Sequence, residues 1–255
     1  MEKEPRPRKP RGGTPPETLR LFAATVEQVV EDGMRVLLEQ ADGIAARLSP
    51  GAALKVSAGS DGQASAQQLA AARTSFGELL RDVAVYAMQG ATTREGREIF
   101  ATHDEVLAAV ERLQDISGEL VQGGRAPRNL VAAATLAAKA RSELQHSKPT
   151  NVICLAALAG ISPVMLVRRK LQGEIKAKGR GHLSPPSARE ALWGVVLGQE
   201  RAETFAKSLA KHKAPPTCVL YRCGGGERSI EVEDASIVAG LEGWGTDGKR
   251  ARSTR

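Results

Sequence analysis

The chain has 255 residues, 42% of them hydrophobic and 25% charged, with a formal net charge of +7; that is enough for one large domain or two smaller ones. Only 3% are aromatic, so a core must be built from Ala, Leu and Val, which favours helix over sheet, and a single-strand reader that stacks successive bases on rings is disfavoured. Three cysteines are too few for a disulfide scaffold, no apolar run approaches the ~18 residues of a membrane span, and Met1-Glu2-Lys3-Glu4-Pro5 lacks the apolar stretch of a secretion signal, so a reduced, cytoplasmic setting is expected.

Residues 1–13 are Pro-rich and carry +3, which predicts a disordered basic arm able to add phosphate contacts without specificity. Residues 14–124 carry −7. Thr14-Pro15-Pro16-Glu17 has the pattern of a helix start, and Phe22, Val26, Val29, Val30, Leu37, Ile44 and Leu48 then recur at helical spacing as far as Ser49-Pro50. Gly33 and Gly43 weaken that run. Leu54-Lys55-Val56 reads as a short extended piece, and residues 57–66 as a loop. A second helix is predicted over about 66–88, carrying Leu69, Phe76, Leu79, Leu80, Val83 and Tyr86. A third opens at Thr102-His103-Asp104-Glu105, another capping box. Its near-heptad Val106, Val110, Leu113 and Leu120 permit a paired helix. We expect 14–122 to be an acidic helical domain for self-association or partner binding, with plain packing as the alternative.

Gly123-Gly124-Arg125-Ala126-Pro127 breaks the pattern where the charge changes sign, and a boundary is placed there. Residues 125–182 hold eleven basic side chains against Glu143 and Glu174, a surplus of +9. Concentrated positive charge attracts polyanions and releases their condensed counterions, so nucleic acid is the expected partner. A solvated basic surface is the competing explanation. An Ala-rich helix at about 128–146 opens this unit.

In residues 151–177 a short apolar helix runs into Ala159-Gly160-Ile161. Ser162-Pro163 then supplies an N-cap and first-position Pro for a second helix bearing Arg168-Arg169-Lys170. The segment resembles the helix-turn-helix of DNA-binding regulators and partition proteins at Ala156, Gly160, Ile161 and Leu166. The resemblance implies a small residue at the helix crossing, a left-handed glycine turn and an apolar anchor for a recognition helix. It departs at Arg169, where the motif has an apolar residue; Val164, Val167, Leu171 and Ile175 form the second helix's own apolar stripe. An ordinary helical hairpin remains the alternative. On the DNA reading Ser162, Arg168, Arg169, Lys170, Lys176, Lys178 and Arg180 make the contacts, and Gly179-Arg180-Gly181 reaches a minor groove.

Residues 183–245 are expected to form a separate C-terminal module. Leu183-Ser184-Pro185-Pro186 starts a helix predicted to continue through Trp193 to Phe205, Leu209 and His212. The period then changes, and 217–223 and 227–233 around Gly224-Gly225-Gly226 predict a hairpin. Alternation of Ile230 and Val232 with Glu231 and Glu233 predicts one wet face. The hairpin is expected either to pair with a second copy or to pack on 187–212, with a final helix at about 234–242 and a basic tail at 246–255.

Catalytic equipment is not recognisable. His212, Cys218 and Cys223 lack zinc spacing and a fourth ligand, Cys154 reads as core, Gly160–Val164 lacks the closing Gly of a nucleophile elbow, and Gly224–Gly226 lacks the Lys of a phosphate loop. The sequence therefore predicts a mainly α protein: a helical bundle with a central helix-turn-helix-like unit and a small C-terminal β-hairpin. Its expected work is non-enzymatic DNA binding (RNA being open), needing neither metal nor cofactor. It would act as a nucleoid-associated homodimer, either a regulator or an accessory factor of a plasmid, phage or other mobile element. A helical assembly or viral structural protein binding nucleic acid non-specifically is the alternative.

Overall fold

A computed structural model describes residues 21–48, 62–117, 127, 129–171, 181–213 and 219–232. The described residues are mainly helical, as predicted, and form three two-stranded antiparallel sheets, of which the C-terminal hairpin is the one expected. The proposed starts at Thr14, the basic arm, the extended piece at 54–56 and the helix at 234–242 lie outside the described residues.

A single 3-10 turn, Leu21–Ala23, precedes α1 (Val26–Leu48). Phe22 is therefore not on the same helix as Val26. The start of α1 is fixed by a reciprocal box: Thr25 Oγ1 accepts from the Gln28 N–H (3.2 Å), and Gln28 Oε1 accepts from that of Thr25 (2.9 Å). Gly33 marks where α1 crosses its neighbours, since a Cβ there would lie 2.3 Å from Leu80 Cδ1 and 2.9 Å from Val131 Cγ2. The residue that weakens the helix locally is the one that permits close packing.

Helix α2 (Gly62–Gln89) ends at Gly90, and a two-residue hairpin, β1 (Thr93–Arg94) and β2 (Arg97–Glu98), follows. Glu95 and Gly96 both have positive φ (52° and 78°), the turn geometry that matches strand twist. Sequence reading missed this hairpin. Arg94 bridges Glu78 and Asp82 of α2, and Arg97 reaches Asp82 at 2.6 Å. Helix α3 (His103–Ser117) is capped by Thr102 as predicted, and its Val106, Ala109, Val110 and Leu113 are buried inside the chain's own core. The near-heptad stripe is thus used internally.

Helix α4 (Leu130–Gln145) is the hub, with thirteen of its 16 residues buried. Its alanines let α1, α2, α3 and α5 (Val152–Ala159) pack against one helix. Asn129 Oδ1 accepts from the Ala132 N–H (2.7 Å), and Asp32 of α1 accepts from that of Leu130 (2.7 Å), so one end of α4 is capped across the core. Among the described residues one hydrophobic cluster includes side chains from Leu21 to Val232, from both sides of the composition change at 123–127, which itself lies largely outside the described residues.

Helix α6 (Pro163–Leu171) follows α5. Strand β3 (Thr150–Asn151), immediately before α5, pairs with β4 (His182–Leu183), immediately before α7 (Pro185–Leu197). The long predicted helix over 185–212 is two: Gly198 at φ 86° separates α7 from α8 (Gln199–His212), and Trp193 meets Phe205 edge-on at 5.0 Å. Strands β5 (Val219–Gly224) and β6 (Glu227–Val232) form the predicted hairpin around Gly225-Gly226. It packs within the chain, on the N-terminal 3-10 turn, α2 and α7; Gly225 and Gly226 donate to the Ala24 (2.9 Å) and Phe22 (2.8 Å) carbonyls. The wet face predicted from Glu231 and Glu233 is not found at Glu231, and Glu233 lies outside the described residues. Glu231 is 7% exposed and ion-pairs with Arg222 at 3.1 Å across the hairpin, while Ile230 and Val232 are buried on either side.

Candidate nucleic-acid interface

Thr150 and Asn151 open this unit. Asn151 leaves β3 and caps α5, its Oδ1 accepting from the Ile153 N–H at 2.8 Å. Every residue of α5 except Ile153 is buried. The helix stops at Gly160, left-handed at φ 63° and ψ 36°; Gly160 N–H bonds to the Ala157 carbonyl (3.1 Å) and Ile161 N–H to that of Ala156 (3.0 Å). That bond pair is a Schellman termination. Ser162 then starts α6, accepting through Oγ from the Val164 N–H at 3.3 Å and through its carbonyl from Met165 and Leu166.

Of the positions that carry the resemblance, Ala156 is 0% exposed and Leu166 1%, while Ile161 is half-buried. Burying a leucine of this kind contributes about 1.5–3 kcal/mol, which suffices to fix a nine-residue helix in one rotation. The apolar stripe read from the sequence is corrected here. Val164, Met165 and Val167 are 65%, 49% and 42% exposed, the exposed large hydrophobics among the described residues. Pro163 and Leu166 hold the helix instead, so Val164, Met165, Val167 and Arg168 project outward together.

Of the predicted contact residues, Ser162 stands at the start of α6 and Arg168 is exposed in its second half. Arg169 and Lys170 belong to the same helix by backbone, with side chains outside the described part. Lys176, Lys178 and Arg180 lie outside the described residues. They fall in a connection bracketed by α6 and by β4, which returns the chain to β3.

The basic surplus of 125–182 does not all reach the surface. Arg141 is 4% exposed; its Nε and Nη2 donate to the Ala87 carbonyl (3.1 and 2.9 Å), and Nη2 also to that of Tyr221 (2.6 Å). It ties α4 to α2 and β5, and contributes nothing to an outer patch. Glu143 is buried too, and burial raises its carboxyl pKa against the opposing pull of Lys139 and the Asn151 N–H. Burial, with Glu143 nearby, pushes the Cys154 thiol up to about 12, so it is an inert core group.

Sequence reading missed what braces the turn. Arg228 of β6 donates from Nη2 to the Gly160 carbonyl (3.2 Å) and lies 3.6 Å from the centroid of the Phe22 ring. A Cβ on Gly160 would fall 2.5 Å from Phe22 Cδ1. The hairpin and the N-terminal turn thus clamp the turn between α5 and α6. No signal in the sequence joins residues 22, 160 and 228.

As for metal chemistry, His212 is exposed at the end of α8, Cys223 is buried in β5 and Cys218 is outside the described residues; no cluster of three His, Cys, Asp or Glu side chains occurs among the described residues. No described helix is long and apolar enough to cross a membrane. Comparison with protein-family models, with curated proteins and with solved structures gives no match to this chain.

Proposed function

We propose that this chain binds duplex DNA without catalysing a reaction, placing α6 in the major groove. The observation that carries the reading is the outward cluster Val164, Met165, Val167 and Arg168 on a short helix whose anchor, Leu166, and preceding glycine turn are buried. Apolar side chains at such positions suit thymine methyl groups, and an arginine suits guanine edges or phosphate. The first turn of α6, with Ser162, offers N–H groups to a phosphate. Arg169, Lys170, Lys176, Lys178 and Arg180 supply further cations along the same stretch of chain, and backbone contacts of that kind set register and salt dependence. A homodimer would read two half-sites, as a regulator or a mobile-element accessory factor acting at the nucleoid.

The test is selection of bound duplexes from a random pool, followed by salt titration of wild type and of Arg168→Ala plus Arg169→Ala. The double variant should lose sequence preference, or bind all duplexes more weakly with a salt slope lower by about 2. Unchanged binding by the double variant refutes the assignment of α6.

A second reading is favoured by the same exposed trio. Three neighbouring large apolar side chains also suit a protein partner or a second copy, as in a helical assembly protein that holds nucleic acid non-specifically. Preference for a selected site that survives excess random DNA supports the first reading; uniform competition supports the second.

A further inference from the structure

A cleft of about 450 Å3 lies where the C-terminal ends of α2 and α4 meet α7 and β5. Its wall includes two guanidinium groups, Arg141 of α4 and Arg189 of α7. No carboxylate among the described residues forms an ion pair with either one. A buried cation without an anion is costly, and Arg141 is almost wholly buried.

Helix ends offset part of that cost. Arg141 bonds to the Ala87 carbonyl in the last turn of α2, and Arg189 Nη2 donates to the Leu144 carbonyl in the last turn of α4 at 2.6 Å. Each helix C-terminus presents roughly half a negative charge. Two full positive charges therefore face about one unit of dipolar compensation, and the remainder is directed at the cleft. Nη1 of Arg141, and Nη1 and Nε of Arg189, have no hydrogen-bond partner among the described residues. Gly90, another lining residue, keeps the space beside Arg141 open; a Cβ there would sit 2.7 Å from Arg141 Nη1. The rest of the wall is mixed: Leu158, Leu192 and Trp193 give it an apolar side, and Thr92, Gln145 and His146 add polar groups.

We infer that this cleft binds a small organic anion, its carboxylate or phosphate oxygens accepting from Arg141 and Arg189 and its apolar body lying against Leu192 and Trp193. Two cations in the wall of a hollow of this size, together with an apolar side, fit a metabolite-scale anion. The inference does not depend on the DNA reading, and its test uses no nucleic acid.

The chain has two tryptophans, so Trp244→Phe leaves Trp193 as the sole reporter in the full-length protein. Benzoate, phenyl phosphate and the neutral benzamide are each titrated to about 10 mM while Trp193 fluorescence is followed, a range that still reads millimolar affinity. We expect a saturable change with at least one anion and none with benzamide; whichever anion binds identifies the head group. Arg189→Gln should weaken that binding by about tenfold or more, the loss of a charge-assisted contact. The benzoate–benzamide contrast in the unsubstituted site keeps the test decisive should Arg189→Gln misfold. Absence of a saturable anion response, equal binding of benzamide, or undiminished binding by folded Arg189→Gln would overturn the inference.

Discussion

Gly160→Ala tests the clamp on the turn between α5 and α6. Two costs are separable there. The left-handed backbone at φ 63° penalises any Cβ by about 1–2 kcal/mol. The new methyl also lands 2.5 Å from Phe22 Cδ1, on a ring already faced by Arg228, and overpacking of that kind adds about 1–3 kcal/mol. Gly225→Ala is the matched control, since Gly225 has φ 61° and nothing within 4 Å of an added Cβ. Urea unfolding followed by circular dichroism should therefore give Gly160→Ala about twice the destabilisation of Gly225→Ala. At an m-value of ~2 kcal/mol/M that places their midpoints roughly 1 M apart. In a Phe22→Ala background the cost of Gly160→Ala should fall to that of Gly225→Ala, and the difference is the coupling between turn and clamp. If the two glycine variants unfold at the same urea concentration, or if Phe22→Ala leaves the Gly160→Ala cost unchanged, the clamp does not exist as described.

Arg228→Ala removes both the Gly160 carbonyl bond and the contact over Phe22, and should cost about 1–2 kcal/mol in the same urea assay. Asp32→Ala deprives α4 of its cap on the Leu130 N–H, for a loss of about 1 kcal/mol that Asp32→Asn should largely restore. His103 has its pKa lowered from 6.5, first by burial and then by Lys148 and His146, so the folded state disfavours the charged imidazole. A base with a depressed folded pKa destabilises the fold as pH falls through its unfolded value; thermal midpoints should drop below about pH 6.5, and His103→Gln should flatten that limb. Glu143 behaves in the opposite sense. Burial raises its pKa above 4.5, so its carboxylate weighs against folding once pH rises past that value, and Glu143→Gln should be more stable than wild type at neutral pH but not at pH 4. A neutral-pH loss in Glu143→Gln would contradict that sign.

The helices were largely legible because their starts are written locally. Thr102, Asn129, Asn151 and Ser162 precede helices α3, α4, α5 and α6, which lie near their expected places, whereas the start expected at Thr14 lies outside the described residues and α1 begins at Val26. The failures share a cause, which is that the deciding contact is remote. Gly198 looked like an interior glycine of one long helix, yet its positive φ divides two helices that fold together through Trp193 and Phe205. The β1–β2 hairpin has only two-residue strands, too short for alternation to register, and it is tied down by Arg94 and Arg97 reaching back to α2. Glu231 reads as a solvated residue until Arg222, diagonal to it across the hairpin, is placed within ion-pair distance.

The same distinction governs the candidate interface. Counting charges along 125–182 treats every cation alike, but position sorts them: Arg141 is consumed by backbone carbonyls in the core, whereas Arg168 is exposed on α6. The apolar residues sort in the reverse direction. Periodicity assigned Val164 and Val167 to the apolar stripe, and the helix instead buries Pro163 and Leu166 and turns the two valines outward. Leaving three large hydrophobic side chains 42–65% exposed forgoes part of a burial worth about 1.5–3 kcal/mol each. The Gly160 turn, with Arg228 on its carbonyl and Phe22 against its Cα, leads directly into α6 and so bears on which side chains α6 presents. Gly160→Ala should therefore alter whatever α6 contacts even where α6 itself is unchanged in sequence, and the fall in affinity should track the loss in stability across the clamp variants.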